Sequence, residues 1–178
     1  MTTFIFNTAV MEYRSSITIL AVVTLIITSC SKSESPYNPD TSSNNVSATI
    51  SIGTNAPFQF SATGVAAKIY PLIANPSSYR IEAKDANNKL LIIDIANVTQ
   101  TGTYPFTSMG NGLSFTNDGT GVTGQLTYFT SDPSITNKGS VTITALNNHH
   151  IEGLFTAFCK NNTGEAAQIN NGSFKGNF

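Results

Sequence analysis

From Val46 onward the apolar residues of this chain return at every second position. Val46, Ala48, Ile50 and Ile52 alternate with Ser47, Thr49 and Ser51, and a period of two puts the sets on opposite faces of an extended strand. The same alternation carries Phe58, Phe60 and Ala62, then Tyr79, Ile81 and Ala83, then Val122, Gly124, Leu126 and Tyr128, then Val141, Ile143 and Ala145, and last Phe174 and Phe178. Half-buried antiparallel strands with one wet face have this signature. Residues 90–95, Leu-Leu-Ile-Ile-Asp-Ile, are apolar on both faces except at Asp94, which predicts a central strand covered on both sides or one lining a barrel. Turn sequences separate the strands: Asp85-Ala86-Asn87-Asn88, Asn117-Asp118-Gly119-Thr120-Gly121, Asn147-Asn148 and Asn161-Asn162-Thr163-Gly164. Asn and Gly tolerate the positive φ of tight hairpins. No stretch keeps a 3.6-residue period; Val65 to Ile73 comes nearest, and Pro71 interrupts it. The expected fold is all-β, an antiparallel β-sandwich or small β-barrel of about nine to eleven strands.

The first 45 residues follow another pattern. Glu12, Tyr13 and Arg14 precede an apolar stretch from Ile17 to Ile27, which has the length of a signal-peptide core and falls short of the ~20 residues of a membrane-spanning helix. Ile27-Thr28-Ser29-Cys30 follows. This resembles the bacterial lipobox, with a branched apolar residue, two small residues and a Cys whose thiol takes a diacylglycerol. Met11 offers a start with a more usual leading segment than Met1. Ser31 to about residue 45 is Ser, Asn, Pro and Asp with almost no apolar content, a flexible linker. Three segments result: a lipoprotein signal peptide over 1–29, the lipidated Cys30 and its linker over 30–45, and one all-β domain over 46–178.

Composition narrows the functions. Nine basic and ten acidic residues leave a net charge of −1, and nineteen Asn with many Ser and Thr make the polar surface largely neutral, so nothing attracts nucleic acid. With Cys30 lipidated, Cys159 has no partner for a disulfide and reads as a small core hydrophobe. There is no Gly-x-Ser-x-Gly elbow, no His-Glu-x-x-His, no Cys-x-x-Cys and no phosphate-binding glycine loop. The adjacent His149 and His150 point to opposite faces; His150 and Glu152 share one and supply two metal ligands where a site needs three or four. Among the carboxylates, Asp94 between Ile93 and Ile95 is the one candidate for a desolvated functional acid, against the plainer reading of a wet-face residue. No cofactor, metal or catalytic residue is expected; Cys30 is the one residue with an assigned chemical role.

Several C-terminal segments are similar to a family of uncharacterised Bacteroidota lipoproteins: Gly102-Thr103-Tyr104, Gly139-Ser140-Val141-Thr142-Ile143-Thr144, Ile151-Glu152-Gly153-Leu154-Phe155-Thr156-Ala157 and Ile169-Asn170-Asn171-Gly172-Ser173-Phe174. The resemblance implies an outer-membrane-associated all-β lipoprotein and no activity. Ser31-Lys32-Ser33-Glu34 carries one acid just after the Cys, so both periplasm-facing and surface-exposed placement stay open. The expected function is a membrane-anchored, non-enzymatic binding or structural module whose protein, glycan or small-molecule partner is unspecified. The alternative is a lipocalin-like carrier of a small apolar ligand, and a hydrolase using Asp94 comes third. An enclosed apolar cavity marks the carrier; an exposed aromatic patch or a long loop, 107–121 or 130–139, marks the binding module.

Overall fold

A computed structural model describes residues 39–73, 75–118 and 127–178. The signal segment, Cys30, most of the linker and the expected strand at 122–126 lie outside these residues. Eleven antiparallel strands form one sheet: β1 (Asn45–Ile52), β2 (Phe58–Thr63), β3 (Ala67–Leu72), β4 (Asn75–Lys84), β5 (Leu90–Ile95), β6 (Gly102–Pro105), β7 (Gly112–Thr116), β8 (Thr127–Phe129), β9 (Gly139–Asn147), β10 (His150–Lys160) and β11 (Ala166–Asn177). Hydrogen bonding runs β2-β1-β11-β10-β8-β7-β5-β4-β3, and β9 branches from β10 and carries β6. The sheet curls until β3 and β11 nearly meet, an almost closed barrel. Among the described residues no helix is long and apolar enough to cross a membrane.

Alternation sends the apolar set inward as the sequence predicts. Val46, Ile50, Phe60, Ile81, Leu91, Ile93, Phe115, Ile151 and Ile169 are all buried in one cluster. The interior is packed by side chains. Phe60 meets Phe115 edge-on at 6.4 Å and Tyr128 stacks on Phe115 at 6.3 Å, a geometry that adds to the gain from burial. Two glycines show how tight the filling is. A Cβ on Gly153 would lie 2.5 Å from the Phe174 ring, and one on Gly172 would lie 2.5 Å from the Phe155 ring.

Local features depart from simple alternation, among them a register shift in β9 after Ile143 that leaves Ala145 half-buried. Residues 65–72, the nearest approach to a helical pattern, form one 3-10 turn (Gly64–Ala66) and then β3, in which Lys68 and Tyr70 face outward. β5 is central, between β4 and β7, yet its outer face is only half covered, because register sets Ile92 against Glu82 and Ser114. In β11 a bulge at Asn171, with φ of 51°, moves the inward positions from odd (Ala167, Ile169) to even (Gly172, Phe174, Gly176). The extra residue re-aims every side chain after it, and this is what brings Phe174 into the core.

Candidate functional site

Cys30 lies outside the described residues; Asp94 and the His150–Glu152 pair have partners. Asp94 lies on the outer face, its carboxylate accepting from Arg80 Nε at 2.7 Å and Arg80 Nη2 at 2.9 Å. The two residues sit directly opposite in the β4–β5 register, and the Asp94 side chain is 36% exposed. The Asp94 bond holds Arg80 above its ordinary range despite partial burial. A bidentate pair of this kind takes one lone-pair site on each carboxylate oxygen and orients the group toward Arg80. The turn Asp85–Lys89 fixes this register, since Lys84 opposite Leu90 puts Arg80 opposite Asp94.

His150 places Nε2 2.9 Å from Glu152 Oε1 and Nδ1 2.7 Å from Asn177 Oδ1. Lys175 Nζ approaches the same Glu152 oxygen at 3.4 Å. The His150 bond first, then Lys175, keeps the Glu152 carboxyl below the usual range. A lysine stands where a third metal ligand would be needed, and among the described residues no group of three His, Cys, Asp or Glu can hold a metal. Cys159 is buried in the core, and burial pushes its thiol up to about 12. A thiol so held is no nucleophile at neutral pH.

The two ends of the barrel are built differently. At one end, the β1–β2, β4–β5 and β10–β11 hairpins cover the core aromatics with charge. Lys89 Nζ sits 3.8 Å above the Phe58 ring, and the Tyr128 hydroxyl donates to Glu165 Oε2 at 2.6 Å. Burial, and then the Glu165 carboxylate, hold that phenol well above its usual range. Asn161 Oδ1 accepts from the Glu165 and Thr163 amides, and its Nδ2 donates to Glu165 Oε2, fixing the hairpin.

At the other end an open depression of about 630 Å³ lies between the β3–β4 hairpin, the segment after β5, the β9–β10 hairpin and the end of the chain. Its apolar floor is Tyr79, Val98, Leu146 and Phe178. Tyr79 and Phe178 meet edge-on, centroids 5.0 Å apart, and Tyr79 is 7% exposed. Ser77, Thr99 and the neighbouring Asn147 and Asn148 give the rim hydroxyl and amide groups, and no Asp, Glu, Lys, Arg or His side chain lines it. Beside it, Asn44 closes the gap between β3 and β11. This amide, 1% exposed, donates to the Ala67 carbonyl at 3.0 Å and accepts from the Asn177 amide at 2.8 Å. Composition reads Asn44 as linker; the structure makes it part of the wall, because its side-chain amide donates to one strand and accepts from the other at once.

The expected long loop 107–121 is interrupted by β7 over Gly112–Thr116, and its residues 119–121 lie outside the described residues. Residues 107–111 form a tight connection, with the Thr107 amide bonded to the Asn111 carbonyl at 2.9 Å. The 130–138 segment is tied down by Thr130, wholly buried, whose Oγ1 accepts from the Leu113 amide at 2.9 Å. Fold and site together define a class: an all-β barrel packed by its own side chains, with an apolar-floored depression at one end. No protein-family model, curated protein or solved structure matches the chain.

Proposed function

We propose that this chain is a membrane-anchored lipoprotein whose barrel is a non-enzymatic binding module. Cys30 carries the lipid, the linker after it is the tether, and residues from Pro39 onward form the module. The observation that carries the reading is the filled interior: Phe60, Phe115 and Tyr128 occupy the centre of the barrel, so recognition falls to the outside. The carrier alternative needs a lumen where these rings stand. The hydrolase alternative needs a free Asp94 where the Arg80 pair stands. The lipobox-like Ile27-Thr28-Ser29-Cys30 and the resemblance to Bacteroidota lipoproteins support the anchor and an outer-membrane location. A diacylglycerol with an amide-linked chain exceeds the marginal hold of a single acyl group. Replacing Cys30 with Ala tests this: the protein is expected to leave the membrane fraction and lose incorporation of labelled palmitate. Membrane retention with unchanged labelling would refute the anchor.

A further inference from the structure

We propose that the barrel docks open end down on the lipid surface that holds its anchor, with Ile73 and Met109 entering the interface. The proposal rests on the lipoprotein reading and gives the domain an orientation. Among the described residues these are the two most exposed large apolar side chains, Ile73 fully and Met109 at 97%. Apolar residues scattered singly over a surface need no explanation, but these two stand on neighbouring tips at one end. Ile73 lies in the β3–β4 turn, between Leu72 and Asn75. Met109 lies in the β6–β7 turn, which the Thr107 amide closes on the Asn111 carbonyl at 2.9 Å. The segment after β5 joins the two tips. Asn75 Nδ2 donates to Asn97 Oδ1 at 3.2 Å, and the Ala96 amide donates to Asn111 Oδ1 at 2.7 Å.

The tether arrives at the same end. Asn177 Nδ2 donates to the Asp40 carbonyl at 2.9 Å, and the neighbouring Phe178 amide donates to the His149 carbonyl at 3.1 Å in the β9–β10 turn. The nine residues from Ser31 to Pro39 span at most roughly 30 Å even when fully extended, so a lipid on Cys30 keeps this end close to the bilayer. The tips suit that neighbour. No charged residue occurs from Pro71 to Tyr79 or from Ile95 to Asn117. Either tip therefore enters the headgroup boundary without stripping water from an ion, and the apolar surface it buries adds to the hold of the anchor. Lys175 of β11 pairs with Glu152 at 3.4 Å, while Asp40 and the main-chain carboxylate of Phe178 bring negative charge to this end. Anionic headgroups gain nothing there, so the surface it fits is zwitterionic.

The test uses the full chain recovered from membranes, labelled at Ile, Leu and Met methyls, in nanodiscs of phosphatidylcholine carrying a nitroxide high on an acyl chain. Met109 is the one methionine after Met11, so its methyl signal identifies itself. Its signal and that of Ile73 are expected to broaden several-fold more than those of Ile50 and Ile93 in the core and of Leu154 on the barrel wall. Adding phosphatidylglycerol to the disc should leave that broadening unchanged. Ile73→Ser combined with Met109→Ser should abolish the matching broadening of the Asn97 and Asn111 amides, while the lipid still holds the chain and its spectrum in detergent shows the same fold. Ile73 and Met109 broadened no more than Leu154, or broadened only when phosphatidylglycerol is present, would overturn the orientation. Cys30→Ala separates the two failures. A variant that stays in the membrane fraction refutes the anchor and with it the orientation, whereas a wild-type chain held in the disc with sharp Ile73 and Met109 signals refutes the docking alone.

Discussion

The closed end of the barrel and the open end use the same materials to opposite effect. Each has an aromatic pair, Phe115–Tyr128 in the core beneath one and Tyr79–Phe178 at the edge of the other. The closed end ties its tyrosine to a carboxylate and puts an ammonium over a neighbouring ring, so its surface needs are met within the chain. At the open end the bonds go to joining strands: Asn44 ties β3 to β11, and His150 links the β10 start to Asn177. Of the aromatic floor, Tyr79 is buried and Phe178 half-buried. Self-satisfaction marks the closed end as a structural cap.

Four changes break or sharpen this contrast. Phe115→Ala removes the ring that Phe58, Phe60 and Tyr128 share, and the expected loss is about 3–5 kcal/mol in urea unfolding; a loss below about 1 kcal/mol would mean a loosely filled interior and favour a carrier. Asn44→Ala strips the partners from the Ala67 carbonyl and the Asn177 amide, for about 2–3 kcal/mol, with faster hydrogen exchange confined to the β3 and β11 ends. Exchange rising uniformly instead would deny Asn44 its local role. Tyr128→Phe loses the hydroxyl's bonds to the exposed Glu165 carboxylate and to Asn161 and should cost about 1 kcal/mol.

The smallest effect is on pH dependence, and the ends should fail at opposite limits. Tyr128 is raised in the fold, so its contribution is whole below the ordinary tyrosine value of about 10 and is lost as pH climbs above it. Glu152 is lowered, so its contribution is present above the ordinary carboxylate value of about 4.3 and is lost as pH falls below it. Cys159 also weakens the fold at high pH, so Tyr128→Phe isolates the tyrosine's share and Glu152→Gln the acid one. Urea midpoints at acid, neutral and alkaline pH that do not change in these variants would contradict the assignment.

Much of the closed end is legible in the sequence and little of the open end is. The alternation from Val46 to Ile52 and from Phe58 to Ala62 is local and sets the core face directly. The turn at Asp85–Lys89 carries enough information to pair Arg80 with Asp94. Tyr79 and Phe178 are 99 residues apart in number and meet only because the sheet curls, which no local period reports. Asn171 shifts the register of β11 by one residue in the left-handed region, and an Asn in a run of polar residues announces no bulge. Asn44 sits in a stretch whose composition is that of a linker, so its burial follows from barrel closure alone.

Hydroxyl-radical footprinting of the full chain tests most directly the claim that a filled barrel leaves recognition to its outside. Modification is expected at Phe178 and Leu146, with Phe60, Phe115 and Tyr128 protected. Modification of Phe115 and Tyr128 at rates comparable to Phe178, or a Phe178 that is inert from the start, would contradict it.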